Sequence, residues 1–488
     1  MDTSGDVGAR RRASWLLAAG AVLAVAAAIT CFARAFSMSG MTDTPGSPAS
    51  NPLHGMALSD MPEMWVGATG LLLVVAGIAG RGRPRRVEPP GRRRSLAVAV
   101  IGTAALTIDI SKTSTLGFVI PGMRGEYGIS AGSASFLAVA GLSGTGAGAI
   151  VFALLADRWG RRGTYLLATL GFTTTSMCGS MPSFAGNLAM CGLMGLAVGG
   201  LAPLLITLLT DALGISARGS VVVALSVVAT AIGYLVAAGS ALWLEPVFGW
   251  RVLWLIGVPT GLLLAALTPW VPEWAAAPAA GRAAAAHGRA LTVGLQRGYA
   301  FLIGVLTFGL STWVPTLTRS GGLAAGTANL WLTLAAVVMV PCAVLLMLGY
   351  RRFGPVRFAA GLAAATAVLL LALTATGVTA SASWLCAGAL VAALFSVNVM
   401  AAIFLPIAAD LADPAGRGRF TGTVSLYNRL GGLCGPLLLA TIVTSASDVL
   451  IAVAALAVCS AAAAVWIGWR QRLIPAQEMT IDGKEPIS

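Results

Sequence analysis

Apolar runs of bilayer-crossing length follow one another along this chain, joined by short turns that carry arginine. A helix needs about 20 apolar residues to cross the hydrocarbon core. A backbone in lipid must also satisfy its own hydrogen bonds, so the spans must be helices or close into a barrel. Runs near 96–120, 133–155, 164–183, 187–208, 220–243 and 251–271 lead into an Ala/Pro/Arg stretch at 272–295. Six more follow near 298–318, 328–349, 358–378, 383–408, 420–443 and 448–469. Two further runs, Trp15 to Phe36 and Trp65 to Gly80, precede them all. The pattern predicts an all-α polytopic membrane protein: a twelve-helix core of two six-helix halves plus two N-terminal transmembrane helices. Composition agrees, at 57% hydrophobic and 10% charged with a mean hydropathy of +0.86; soluble domains do not reach such values.

Charge orients the spans. The net charge of +13 does not point to nucleic acid, because the arginines sit in the short loops where orientation requires them. With Ser95 inside, the segments holding Asp157–Arg162, Arg218, Arg282, Arg289, Arg351, Arg352, Arg417, Arg419, Arg470 and Arg472 all fall inside. Both termini are then cytoplasmic, in the cell (inner or plasma) membrane. Residues 1–94 read as an N-terminal two-helix module, with an outer Met-rich loop at 37–63 and a cytoplasmic linker at 81–94 bearing seven arginines. The core reads as 95–271, a cytoplasmic loop at 272–295, then 296–470, with a tail at 471–488. Ala33-Arg34-Ala35 resembles a signal-peptide cleavage site. The apolar run before it is long for that role and a second run follows, so it reads as a retained span.

A dense charge cluster, Asp157-Arg158-Trp159-Gly160-Arg161-Arg162, lies between two spans. It cannot sit in lipid and must be a tight turn at a water face. The two halves also echo each other. Asp211-x6-Arg218-Gly219 and Asp410-x6-Arg417-Gly418 recur at the same place in each half, 199 residues apart. Tyr350-Arg351-Arg352-Phe353-Gly354 echoes the charged turn without its Asp. Parallel six-helix repeats are a transporter pattern.

Asp-Arg-x-Gly-Arg-Arg between two spans resembles the loop between helices 2 and 3 of the major facilitator superfamily. Gly195-x3-Gly199-Gly200-x2-Pro203 is similar to the family's fourth helix, and Phe308-Gly309-x3-Trp313-Val314-Pro315-Thr316 to the seventh helix of its organic-acid uptake branches. Gly249-Trp250-Arg251 and Val271-Pro272-Glu273 resemble the two ends of the sixth. The resemblance implies alternating access, with the halves rocking about a cavity lined by helices 1, 4, 7 and 10. It also implies that Asp157, Arg158, Gly160, Arg161, Arg162, Asp211 and Arg218 form the conformational machinery that latches the halves on the cytoplasmic side. Cys191 stands where many members carry an Arg, and Ala231-Ile232-Gly233-Tyr234 replaces the drug-exporter motif of helix 5. These departures weigh against sugar-porter and drug-exporter readings.

Chemistry concentrates in helix 1, where Asp109 and Lys112 fall near half-depth and Thr113 shares their face. Ionisable residues at that depth are costly and mark function unless they merely pair with each other. Asp109 is the candidate proton carrier and Lys112 a candidate partner for an anionic group. Arg429 lies about nine residues into helix 11, either snorkelling to the interface or facing the cavity as a second cation. Asn398 and Trp313 complete the substrate candidates.

Sulfur forms a second pattern: Met177-Cys178-x2-Met181 ends helix 3 and Met190-Cys191-x2-Met194 begins helix 4. Thioethers and thiols select Cu(I), but methionine is also ordinary helix packing. Two histidines give no zinc cluster, and no phosphate-binding Gly-x4-Gly-Lys-Ser/Thr loop or catalytic constellation is present. The sequence therefore predicts no enzyme and no cofactor. It predicts a monomeric secondary active transporter in the lipid bilayer, moving a small anionic organic solute with protons. Copper handling and a non-transporting membrane sensor are the alternatives.

Overall fold

The computed structural model describes residues 3–39, 61–81, 92–176, 181, 183–212, 218–272, 286–320, 325–377, 383–412, 417–442 and 446–481. Most of the outer Met-rich loop, the arginine linker and the central loop lie outside the described residues. So do Met177 and Cys178.

Helices α1 (Thr3–Ser39) and α2 (Pro62–Gly80) form an antiparallel hairpin. A Cβ on Gly20 would lie 2.6 Å from the Gly70 carbonyl oxygen, and one on Gly70 would lie 2.6 Å from the Ala24 nitrogen. Lipid tails are as apolar as leucine, so helices in a bilayer associate through this kind of small-residue packing. Arg34 and Glu63 close one end of the hairpin with a 3.0 Å ion pair.

The first group of core helices begins with α3 (Arg92–Tyr127), α4 (Ala131–Trp159) and α5 (Arg161–Thr175). Gly160 joins α4 to α5 at φ +86°, ψ 161°, a conformation that a side chain would strain. Then come α6 (Phe184–Gly199), α7 (Leu201–Ala212), α8 (Arg218–Trp243), α9 (Glu245–Phe248), α10 (Val252–Leu255) and α11 (Gly257–Ala266). The second group is α12 (Ala286–Ser320), α13 (Ala325–Phe353), α14 (Pro355–Ala375), α15 (Ser383–Leu411), α16 (Arg417–Ile442) and α17 (Ala446–Ile481). Between α13 and α14, Gly354 repeats the Gly160 geometry at φ +76°, ψ 166°. The second charged turn has lost its Asp but kept its hinge.

Among the described residues, eleven helices are long and apolar enough to cross a membrane: α1, α2, α3, α4, α6 with α7, α8, α12, α13, α14, α15 and α17. The chain is an all-α polytopic membrane protein. The three remaining sequence spans take other forms. In α5, only 15 residues long, Thr164, Thr169, Thr173, Thr174 and Thr175 return their hydroxyls to carbonyls three or four residues back. The sixth span is broken into α10 and α11. Helix α16 is long but carries Arg417, Arg419, Asn428 and Arg429.

Within the first group, α4 packs on α6 and α3 on α8; within the second, α12 packs on α16 and α14 on α17. The groups meet along α8 with α13 and along α4 with α16. The α1–α2 hairpin lies against α5, α10 and α11. Gly67 faces Thr174, Ile78 sits over Gly163, and the rings of Phe36 and Phe248 are 5.5 Å apart.

Candidate functional site

Helices α3 and α16 bring opposite charges together in the buried interior, with an aromatic ring from α12 beside them. Asp109 on α3 is 2% exposed. Its Oδ2 lies 4.0 Å from Arg429 Nη2 on α16, whose side chain is 12% exposed. The Arg429 guanidinium also stands 5.2 Å from the centre of the Phe308 ring on α12, a cation–π contact. Behind it, Asn428 Nδ2 donates to the Ala300 carbonyl at 3.1 Å and ties α16 to α12. A 4.0 Å separation is too long for a hydrogen bond. Asp109 Oδ1 and Arg429 Nε are both buried without a hydrogen-bond partner. Buried ions are ordinarily paired and fully hydrogen-bonded, so a loose pair with vacant bonding positions is costly to keep.

The other helix 1 candidates have different neighbours. Lys112 is 3% exposed, and its Nζ donates to the Leu253 carbonyl at 2.7 Å and the Trp254 carbonyl at 3.2 Å. Thr113 Oγ1 donates to the Asp109 carbonyl at 2.9 Å. Asn398 is half-buried on α15. Trp313 belongs to α12, with its side chain outside the described residues. The site thus gathers Asp109 and Arg429, to which Phe308 is added. The sequence offered Phe308 as a helix 7 landmark, not as a partner of the arginine.

At one end of the bundle the charged turn crosses between the helix groups. Asp157 Oδ2 accepts from Arg419 Nε at 2.6 Å; the side chains are 24% and 67% exposed. Nearby, the hydroxyls of Thr207 and Thr421 are 3.2 Å apart, and Ser226 Oγ donates to the Ala402 carbonyl at 2.6 Å. Arg158 is exposed, Arg161 buried and Arg162 half-buried. Asp211 ends α7 and Arg218 begins α8, with side chains outside the described residues. Their repeat partners are described. Arg417 is 2% exposed and donates through Nε to the Ala409 carbonyl at 2.9 Å. Asp410 accepts from the Tyr350 hydroxyl at 3.3 Å and lies against Gly219 on α8. The sequence placed Arg419 among the inside arginines and Tyr350 in the echoed turn, but gave neither of them a partner.

The opposite end is tied within the first group. Arg251 Nη2 donates to Glu126 Oε1 at 2.6 Å, and Trp250 Nε1 donates to Glu126 Oε2 at 2.8 Å. The Tyr127 hydroxyl donates to the Met181 carbonyl at 2.9 Å and accepts from Asn187 Nδ2 at 2.8 Å. Burial pushes the Tyr127 phenol above its ordinary value.

Met181, Met190, Cys191 and Met194 are buried. Cys191 Sγ donates to the Leu137 carbonyl at 3.6 Å, and Met194 lines a cleft with residues of α3 and α4. No three His, Cys, Asp or Glu side chains among the described residues gather as a metal site.

Comparison with known proteins gives a consistent family. A profile of the Major Facilitator Superfamily matches residues 105–373, more than half of the chain. A Bacillus subtilis (strain 168) protein named for niacin and nicotinamide transport is 24% identical over 371 residues, 73% of this chain and 90% of its own length. The gallate transporter of Pseudomonas putida is 28% identical over 268 residues, 46% of this chain and 59% of its own. The human organic anion transporter MFSD10 (TETRAN) shares the fold, with a TM-score of 0.58 at 19% identity over 77% of this chain and 100% of that one. None of these supports copper handling or sensing. With the profile running from α3 to α14, the chain belongs to the Major Facilitator Superfamily and is a secondary active transporter of a small organic solute.

Proposed function

We propose that the solute is a small aromatic carboxylate, carried with a proton by alternating access between two six-helix halves. The first half is α3–α11, with α5 and the broken α10–α11 as its third and sixth spans. The second is α12–α17, with α16 as helix 11. Residues 1–94 form an added module, 272–295 the cytoplasmic connection and 471–488 a cytoplasmic tail. Arginine asymmetry supports placing both termini and the Asp157–Arg419 latch inside. The working unit is a monomer, since one chain supplies both sides of the site.

The observation that carries the reading is the loose Asp109–Arg429 pair between the halves. A substrate carboxylate that takes Arg429 from Asp109 replaces one anion by another. Asp109 is then left without its cation in a buried site, where the neutral form is favoured, so it takes up a proton. The centre carries the same net charge empty as it does with anion and proton bound. Neither state asks the membrane to bury an extra ion. Phe308, beside the guanidinium, offers an aromatic substrate a stacking face. The names of the relatives, niacin and gallate among them, fit an aromatic acid.

Proteoliposomes with an imposed pH gradient, acid outside, test this. Nicotinate should accumulate against its gradient, whereas nicotinamide, nearly the same shape without the charge, should not. Equal accumulation of the two would rule out carboxylate recognition. Nicotinate accumulation that ignores the pH gradient would rule out proton coupling.

A further inference from the structure

Helix α10 ends at Leu255 and α11 begins at Gly257, so this span is interrupted beside α3. An interruption inside the membrane frees carbonyl oxygens that lipid cannot satisfy. Lys112, itself 3% exposed, donates to two carbonyls at the break, Leu253 at 2.7 Å and Trp254 at 3.2 Å, the second of which also takes the Ile256 N–H. Gly257 makes room for it. A Cβ there would lie 3.0 Å from Lys112 Cε and would run into Ser176 Oγ. The same lysine lines a narrow cleft with Thr113, Thr145, Cys191 and Met194. Transporters with broken helices commonly seat a coupling cation on such freed carbonyls.

We propose that Lys112 is a tethered cation in that position. It is a positioning residue that holds the α10–α11 break against α3, leaving Arg429 as the cation that meets the substrate. The role given to Arg429 rests on the solute reading above; the role given to Lys112 does not. The protein then needs no sodium at this place, and truncating Lys112 opens a site of the size and charge preference of a small ammonium ion.

The test uses the full-length Lys112→Ala protein in counterflow exchange without a pH gradient, with methylammonium chloride as the probe and choline chloride as the oversized control. Removing two charge-assisted hydrogen bonds at this depth should lower the maximal exchange rate by about tenfold or more. KM should stay within about twofold, because a positioning residue does not touch substrate. Methylammonium should restore rate and raise the melting temperature of Lys112→Ala, and choline should do neither. Lys112→Met, whose thioether fills the space without charge, should gain nothing from methylammonium. The proposal is overturned if Lys112→Ala raises KM at unchanged maximal rate, which would put the ammonium on the substrate. It is also overturned if methylammonium moves neither rate nor melting temperature. The melting measurement needs no substrate, so it separates failure of this inference from failure of the solute reading.

Discussion

Replacing Asp109 with Asn removes one charge from the central pair and keeps its size. At 4.0 Å the gross attraction between Asp109 and Arg429 is about 4 kcal/mol at an effective dielectric of about 20. An incoming carboxylate must overcome part of that attraction unless Asp109 is protonated. The sign of the pH effect follows. In the native protein, substrate affinity should fall as pH rises, because deprotonation restores the competitor for Arg429. In Asp109→Asn there is no competitor at any pH. Its affinity for nicotinate should equal or exceed the native value and be flat with pH. Counterflow exchange should survive while uphill accumulation under a pH gradient is lost. Arg429→Gln removes the charge-assisted contact itself, worth about 1.5–3 kcal/mol. Nicotinate affinity should therefore drop about ten- to a hundredfold, with nicotinamide unaffected. The double variant should be no worse than Arg429→Gln, since it leaves no lone buried ion. Binding titrations across a pH series measure all four proteins side by side. Uphill accumulation that persists in Asp109→Asn, or native nicotinate affinity in Arg429→Gln, would refute the reasoning.

Three further outcomes are expected. The Asp157–Arg419 pair is partly solvent-screened, so it should couple by about 0.2–1 kcal/mol. Asp157→Asn and Arg419→Gln should each shift the balance of inward and outward states by up to about fivefold. An Asp157→Arg/Arg419→Asp exchange should recover most of the transport rate, and additive single effects would show that the pair is no latch. Gly160→Ala forces a side chain into φ +86° and should cost about 1–3 kcal/mol, read as a lower melting temperature; Gly354→Ala should behave alike, and unchanged melting in both would contradict the hinge geometry. For orientation, Ser50→Cys in a cysteine-free background should react with an impermeant maleimide in intact cells and Ala285→Cys should not, whereas equal labelling would overturn the assignment.

Hydropathy carried most of the architecture, because lipid forces nearly every spanning residue to be apolar and leaves a long uniform signal. It says less about the segments that face protein instead of lipid. The 164–183 run takes in a threonine-rich stretch whose hydroxyls return to the backbone of α5. The 251–271 run hides a break, because the residues around it are apolar and the polar group that satisfies the break comes from Lys112, some 140 positions away. The central site was half legible. Depth alone singled out Asp109, Lys112 and Arg429. Pattern could not tell which cation Asp109 would face, since helical spacing favoured Lys112 while the nearest guanidinium comes from the other half of the chain. The Asp157–Arg419 contact was obscure for the same reason: its 262-residue separation is set by tertiary docking, with no local code.

The α1–α2 hairpin has a consequence for biogenesis. Helix α5 and the interrupted α10–α11 are the parts of the first group least suited to partition alone into a bilayer, one because of its threonines and the other because of its broken backbone. The hairpin packs against α5 through Gly67 on Thr174 and Ile78 on Gly163, and its first helix touches α10 and α11. Chains fold from their N-terminal end as they are made. The hairpin is therefore already in the membrane when α5 leaves the translocation machinery, and α5 can exchange the insertion channel for a protein wall instead of for lipid.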